Sequence, residues 1–521
     1  MNIHKNSSTR FKNEFNEYND KEDEDNNNNN INIEFIQIRY TDVIGKFLAK
    51  YFQTDKNHIY EIFRTGIGLD GSSVKGFSTI DESDMLLIPD RTTERKITLS
   101  DNKITTVIAD VYRGFNQGRS SRDPRYVSQT MEEYLAMNQI TCQVGAEVEC
   151  FIFDDIIFSN NLATTSFVEH NEANPIHKNL ESVHSNPDLT NVSILSSEQV
   201  GEGKYPIRPK SGYDTTPFQD SLVDFRFEIA RILKKYYSIE VTNLNHEVAS
   251  YGQIEINFMH DILTKTADNV QLYKDVVRNV AKRYNKVANF MPKPIFDEND
   301  PTRGDNGSGM HVSVSFWKKS TSKTANSNIF FDSDDSYSEL SQTGRYFIGG
   351  LLDHASSLSS LVTPTVNSYY RIIPGFEAPV YVAWARGNRS AVVRIPVNAK
   401  GNDSSKRIEF RAPDPSANSY LAFSAIVAAG LDGIKKKIDP GNPINENIYK
   451  MSDHKRTSFG IKTLPSSLNE ALTSLKSDSE YLNICFEKPL IEVYISLKLQ
   501  EIAEIGDDKS KLKQFLYYYD V

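Results

Sequence analysis

The chain is poor in cysteine, lacks long apolar runs and carries no excess of positive charge. Cys142, Cys150 and Cys485 are its only cysteines in 521 residues, and no two of them form a C-x-x-C pair. That excludes a disulfide framework and a sulfur-rich zinc site, and it predicts a reducing compartment. A formal net charge of -10 with a pI near 5.6 argues against phosphate backbones and anionic membranes as general partners, so no nucleic acid is expected. No apolar stretch approaches the ~20 residues that span a bilayer. The N-terminus has neither the pattern of a signal peptide nor the acid-poor composition of a presequence. The expected location is the cytoplasm.

What is present suits a large folded chain, with 39% hydrophobic and 25% charged residues. Residues 1–30 are polar, acidic and end in an asparagine run, a composition that predicts a disordered tail. From residue 31 the pattern turns to strands: 35–40, 47–52 as its hairpin partner, and 104–111. These make 31–118 a small β-rich unit. Residues 114–125, ending in Asp123-Pro124, read as a junction to a second domain over 119–521. Two polar insertions are expected there, near 159–203 and 318–341. Phe218, Leu222, Phe225, Ile229, Leu233 and Tyr236 recur at helical steps, as do Leu272, Val276, Val280 and Tyr284. Helices packed on one face of a largely antiparallel sheet, an α+β architecture, follow from that order.

Four short strands then share one property. Strand side chains alternate, so Glu147 and Glu149 share a face opposite Val148, Cys150 and Ile152. The same rule places Glu255 on a polar face, His311 beside Ser313 and Ser315, and Glu409 between Arg407 and Arg411. Glu247 stands just before the Glu255 strand. A sheet whose polar faces meet in a cavity would gather all six ligand-type residues. Adjacent carboxylates would repel by ~4 kcal/mol per pair at ~4 Å and an effective dielectric of ~20, so positive charge must enter. Five carboxylates and an imidazole suit two hard divalent cations, Mg²⁺ or Mn²⁺. Arg371, Arg389, Arg394, Arg407 and Arg411 are the second source, and metals beside arginines point to phosphoryl transfer. Each feature alone has a plainer reading: His311 as a structural histidine, the arginines as a surface network, Asn306-Gly307-Ser308-Gly309 as a turn whose glycines meet backbone demands. No Gly-Lys-Ser/Thr follows that loop, so it is not a Walker motif.

Taken together and in order, these residues resemble the class I, bacterial-type branch of the glutamine synthetase family. The matching motifs run from Asp70-Gly71-Ser72-Ser73 and Glu82-Ser83-Asp84-Met85 through Gly145 to Glu149, His246-Glu247-Val248-Ala249, Gly252-Gln253-Ile254-Glu255 and Lys265-Thr266-Ala267-Asp268. They continue with Phe290-Met291-Pro292-Lys293-Pro294, Asn306 to His311, Pro374-Gly375-Phe376-Glu377-Ala378-Pro379, Asn388-Arg389-Ser390 and Arg407 to Arg411. The resemblance implies a small N-terminal β-grasp domain followed by a catalytic domain with a curved antiparallel sheet backed by helices. It also implies a homo-oligomer, a dodecamer of two hexameric rings with active sites between subunits. The implied reaction joins ammonia to the γ-carboxylate of L-glutamate, with ATP as co-substrate, through a γ-glutamyl phosphate.

By matching position, Glu149, Glu247 and Glu255 resemble ligands of one divalent cation, and Glu147, His311 and Glu409 those of a second. Asn306, Gly307, Glu247, Arg371 and Arg411 would bind substrate; Ser315, Arg389, Arg394 and Arg407 would bind ATP. Glu377 resembles a flap glutamate that shields the intermediate from water. Asp70, from an adjacent subunit, resembles the group that takes a proton from ammonium. Three positions depart from the pattern. Ser313 replaces a usual histidine next to the nucleotide. Thr79 stands where a subgroup carries an arginine involved in glutamine feedback, which speaks against such inhibition. Tyr449 falls where some members are adenylylated, but its surroundings resemble the unmodified subgroup. Two rival readings are γ-glutamylation of a polyamine and a non-catalytic structural relative; intact Asp70, Glu247 and Glu377 favour ammonia.

Overall fold

The computed structural model describes residues 34–99, 102–114, 117–157, 192–201, 203–298, 300, 302–318, 327–506 and 510–521. The tail at 1–30, most of the insertion near 159–203, and 319–326 of the second insertion lie outside the described residues.

Strands β1 (Glu34–Thr41) and β2 (Phe47–Thr54) form the expected hairpin, in antiparallel register from Glu34 opposite Thr54 to Thr41 opposite Phe47. Asp42 shapes the turn by accepting the Lys46 amide at 2.8 Å. Helix α1 (Lys56–Thr65), which the β-rich reading did not anticipate, is capped by Asp55 and buries Ile62 and Phe63. After it come β3 (Ile67–Asp70), β4 (Asp84–Pro89), β5 (Arg95–Leu99) and β6 (Asn102–Tyr112). The strand order is β2-β1-β6-β4-β3, with β5 paired to β6 and β1 parallel to β6. This is the β-grasp arrangement. The junction dipeptide starts a helix: Asp123 caps α2 (Pro124–Met137) and Pro124 occupies its first turn, where a missing N–H costs nothing.

The second sheet is organised on β7 (Ile140–Phe153). A side hairpin, β8 (Asp155–Ile157) and β9 (Ser193–Leu195), precedes α3 (Val223–Tyr237). Then follow β10 (Val241–His246), β11 (Gln253–Phe258), β12 (Asp261–Ile262), α4 (Leu263–Arg283), β13 (Val287–Asn289), β14 (Met310–Lys318) and β15 (Ser327–Asn328). Three helices, α5 (Gln342–Asp353), α6 (Ala355–Val362) and α7 (Ser368–Arg371), lead to β16 (Tyr381–Arg386), β17 (Ala391–Ile395) and β18 (Ile408–Phe410). Then come α8 (Ser419–Lys436), packed on α2, α4 and α5, and β19 (Lys462–Thr463) at the edge of the sheet. The order is β10-β11-β7-β14-β18-β17-β16-β19, antiparallel except where β16 meets β17.

Alternation divides the two faces. Val144, Ala146, Val148, Cys150 and Ile152 of β7 are buried, as are Ala267, Val270, Tyr273 and Val277 of α4, which packs on that side. One end of α3 differs from expectation: Phe218 is exposed and precedes the helix, because residues 216–220 form a turn and Asp220 accepts the Leu222 amide at 3.0 Å. The deeply buried tyrosine at the other end is Tyr237 rather than Tyr236.

Candidate active site

Strand register gathers the acids. Glu255 lies opposite Glu149, Asn257 and His311 flank Glu147 from either side, and both Ser313 and Arg394 lie opposite Glu409. Directly opposed residues have Cβ atoms only ~4.5–5.5 Å apart, so pairing alone brings these side chains into contact. The donor atoms of Glu147, His311 and Glu409 fall within 4.8 Å of one another, and so do those of Glu149, Glu255 and His311. His311 thus belongs to both groups. Glu247, just past β10, lines the same cleft.

The charge is incompletely neutralised. Burial pushes the Glu149 carboxyl up to about 7, against the pull of Arg371 and the Gly309 amide, which donates to Oε2 at 2.7 Å. Burial with Glu149 and Glu147 nearby raises Glu255 to about 8. Burial with Glu149 and Glu255 nearby raises Glu247 to about 10. Burial, aided by Arg411, holds His311 well below its ordinary value, so the imidazole is neutral. A neutral imidazole is a metal-binding one. Carboxylate oxygens around a single imidazole nitrogen fit hard divalent cations.

The loop before β14 is made for close approach. A Cβ on Gly307 would sit 2.4 Å from the Pro292 carbonyl and 3.0 Å from Arg371 Cγ; one on Gly309 would sit 2.7 Å from Arg371 Nη2. Neither glycine has a positive φ. Their smallness admits Arg371, so the backbone-demand reading is replaced by a packing one. Arg371 is buried and donates to the carbonyls of Ala412 at 2.8 Å and Arg411 at 3.3 Å.

Asn306, Gly307, Arg371, Glu377, Arg389, Arg394 and Arg411 line the cleft together with the acids. Ser315 and Arg407 line an adjoining cleft with Ser313 and His260, and Glu147 borders both. The site therefore has two lobes that meet at one carboxylate. Arg394 and Arg411 both hold Glu409, at 2.5 and 3.1 Å. Asp70 is not brought to either lobe of its own chain. It stands exposed at the end of β3, where hydrogen bonds from Ser72 and Ser73 hold it below the usual carboxylate range.

Gln253 received no role from its sequence, although it shares a face with Glu255. Its Nε2 bridges Glu149 at 3.1 Å and the Gly307 carbonyl at 3.0 Å. Tyr213 and Phe376 also line the cleft. The Tyr449 hydroxyl donates to the Ala378 carbonyl at 2.6 Å, and burial pushes it up to about 12. A third close group, Glu198, Asp220 and His246, has its atoms taken by protein. Glu198 holds His246 at 2.9 Å and accepts from Ser221, while Arg226 holds Asp220.

Models of two family domains match this chain: the glutamine synthetase β-grasp domain over residues 32–114 and the glutamine synthetase catalytic domain over 121–517. The chain belongs to the glutamine synthetase family. A glutamine synthetase of Sulfolobus acidocaldarius is 42% identical over 90% of this chain and 92% of its own length. One from Frankia alni is 38% identical over 94% and 97%. Among solved structures, Plasmodium falciparum glutamine synthetase superposes with a TM-score of 0.74 at 26% identity, covering 91% of this chain and 93% of its own. A GmaS/ADP complex gives 0.68 at 28%, covering 91% and 94%. Glutamine synthetases are ligases that make glutamine with ATP and divalent metals, and this chain is an enzyme of that kind. Neither the polyamine nor the non-catalytic reading is favoured. No helix among the described residues is long and apolar enough to cross a membrane.

Proposed function

We propose that the two-lobed cleft ligates ammonia to the γ-carboxylate of L-glutamate through a γ-glutamyl phosphate, releasing ADP and phosphate. The overlap of two acidic groups at His311, beside a bank of arginines, carries this reading. Glu149, Glu247 and Glu255 would hold one divalent cation and Glu147, His311 and Glu409 a second, Mg²⁺ or Mn²⁺, supplying the charge neutralisation that phosphoryl transfer needs. Asn306, Gly307 and Arg371 hold glutamate, with Arg411 on its carboxylate. Ser315 and Arg407 take the nucleotide in the adjoining lobe, a role supported by the structural relative with ADP. Arg389 and Arg394 spread the charge of the transferring phosphoryl group.

Glu377 closes the cleft against water, which would otherwise compete with ammonia for the acyl phosphate. Asp70 of a neighbouring subunit receives the proton that ammonium must lose before it attacks. Its exposure, and its preformed anionic state, support a role across a subunit boundary in a double-ring dodecamer. Three buried free thiols support a cytoplasmic setting.

The test is a glutamine-forming assay with Mg²⁺ and then Mn²⁺, following phosphate release from ATP. Release should need both glutamate and ammonium. Activity with putrescine and none at saturating ammonium would overturn the assignment. Co-expressing Asp70→Asn chains with Glu409→Gln chains should restore activity that neither variant has alone.

A further inference from the structure

The flap tip is tied down by groups that have no other evident work. Gly375 and Glu377 both adopt left-handed backbone, with φ of 97° and 60°, a conformation that a glutamate holds only when its neighbours fix it. Phe376 and Ala378, on either side of Glu377, are buried, while Glu377 itself is exposed on the cleft wall. Tyr449 fixes the Ala378 carbonyl. On the other side stand two lysines.

Lys293 is fully buried, and its Nζ has no hydrogen-bond partner. An ammonium in that state is costly and calls for compensation. It sits 3.3 Å from the centroid of the Phe376 ring. Its backbone is locked on both sides by Asn367, which accepts from its N–H at 2.7 Å and donates to its carbonyl at 3.0 Å. The nearby Asp305 carboxylate is already occupied by Ser250 and the Asn306 amide. The ring face is what remains. Lys210, from the segment before α3, is exposed; its Nζ donates to the Gly375 carbonyl at 2.8 Å and lies 4.4 Å from the same ring.

We infer that Lys293 and Lys210 latch the flap through Phe376 and Gly375, and so act as positioning residues for Glu377. The inference rests on the reading of Glu377 as the residue that excludes water. With the latch loosened, water adds to the acyl carbon of γ-glutamyl phosphate and the carbon–oxygen bond to phosphate breaks. Glutamate, inorganic phosphate and one proton leave, and ATP is consumed without glutamine. The latch is also pH-dependent. Burial lowers Lys293 to about 7, aided by the charges of Lys210 and Arg371 and opposed by Asp305. The ammonium, and with it the ring contact, is lost as pH rises through that value.

The experiment compares glutamate-dependent phosphate release without ammonium against glutamine formed with it. Lys293→Met and Phe376→Leu should each raise that leak ratio about tenfold, and the double variant should raise it no further. The KM for ATP should stay unchanged. In the parent the ratio should climb between pH 6 and 8, and in Lys293→Met it should be flat. If Lys293→Met fails to fold, Lys210→Ala, at an exposed side chain, decides the matter: a rise of about threefold supports the latch, and no rise overturns it. A parent that forms no glutamine overturns the functional reading itself. An active parent whose Lys293→Met and Lys210→Ala forms leak no more than it does overturns the latch alone.

Discussion

Two buried charge clusters in this molecule are built on opposite principles. Around Arg125, four aspartates meet a guanidinium directly. Asp268 is held bidentately at 3.0 Å, Asp110 at 2.6 Å and Asp90 at 2.8 Å, and Arg119 adds Asp110 at 3.0 Å and Asp123 at 2.9 Å. In the cleft, Glu409 alone among five carboxylates is held directly by arginines. Glu147 meets a neutral His311, and Glu149, Glu247 and Glu255 keep protons at values no isolated glutamate would show. In the first cluster each of four aspartates is held directly by Arg119 or Arg125, and the cluster joins the β-grasp sheet to α2 and α4. In the second, Glu147, Glu149, Glu247 and Glu255 have no guanidinium in direct contact, which is how a protein reserves a place for cations and anionic substrate.

If that contrast is real, the two clusters should fail differently. Glu255→Gln should lower glutamine synthesis about 10³-fold, yet leave the urea midpoint of the cation-free protein unchanged or higher, since a carboxyl that must take up a proton to fold is gone. Retained activity would break the comparison at the cleft. Arg125→Met should cost about 3–5 kcal/mol in urea unfolding, because Asp90 and Asp268 lose their only guanidinium and Asp110 loses one of two. Its folded fraction should turn over within about threefold of the parent, as expected of a residue outside the chemistry. A large fall in turnover at full stability would show that the junction takes part in catalysis.

Much of the cleft was legible because alternation is a local rule: Glu147 and Glu149, Glu255, His311 and Glu409 could each be assigned to a polar face from their own strand. Register is not local. That His311 faces Glu147 and Arg394 faces Glu409 depends on how distant strands pair, which no single strand encodes. The same limit explains Arg407, which shares a face with Glu409 and Arg411 but opens onto the adjoining lobe. Phe218 fitted a helical period, but the turn at 216–220 breaks the helix before it. Helix α1 leaves little periodic signal because it is only 10 residues long and follows directly on a strand. Lys293 was visible only as a motif letter; its partner Phe376 is brought to it by the fold.

The cleft's titration also sets how stability changes with pH. In the cation-free protein Glu149, Glu255 and Glu247 stand at about 7, 8 and 10, above their ordinary value of 4.5. The folded state therefore binds more protons than the unfolded one above pH ~4.5, and stability falls as pH rises through the folded values. Melting temperature without divalent cation should decline from pH 6 to 8. Mg²⁺ should raise it by several degrees at pH 8 and by less at pH 6, because at pH 6 the cation must displace protons. An equal shift at both would mean that the acids are already ionised.

The smallest effect should come from the group that resembles the cleft but is satisfied like the junction. Glu198, Asp220 and His246 lie as close together as the cleft's acids, yet Arg226 and Ser221 occupy the carboxylates, and Glu198 raises His246 above its ordinary value despite burial. Glu198→Gln keeps the shape and loses one charge, so it should cost about 1 kcal/mol in unfolding and alter turnover less than about threefold. Mg²⁺ should stabilise this variant as it does the parent, since proximity of acids makes a cation site only where the protein leaves their charge unanswered. A loss of the Mg²⁺-induced shift in Glu198→Gln would instead make this group part of the cation site and dissolve the distinction between matched and unmatched clusters.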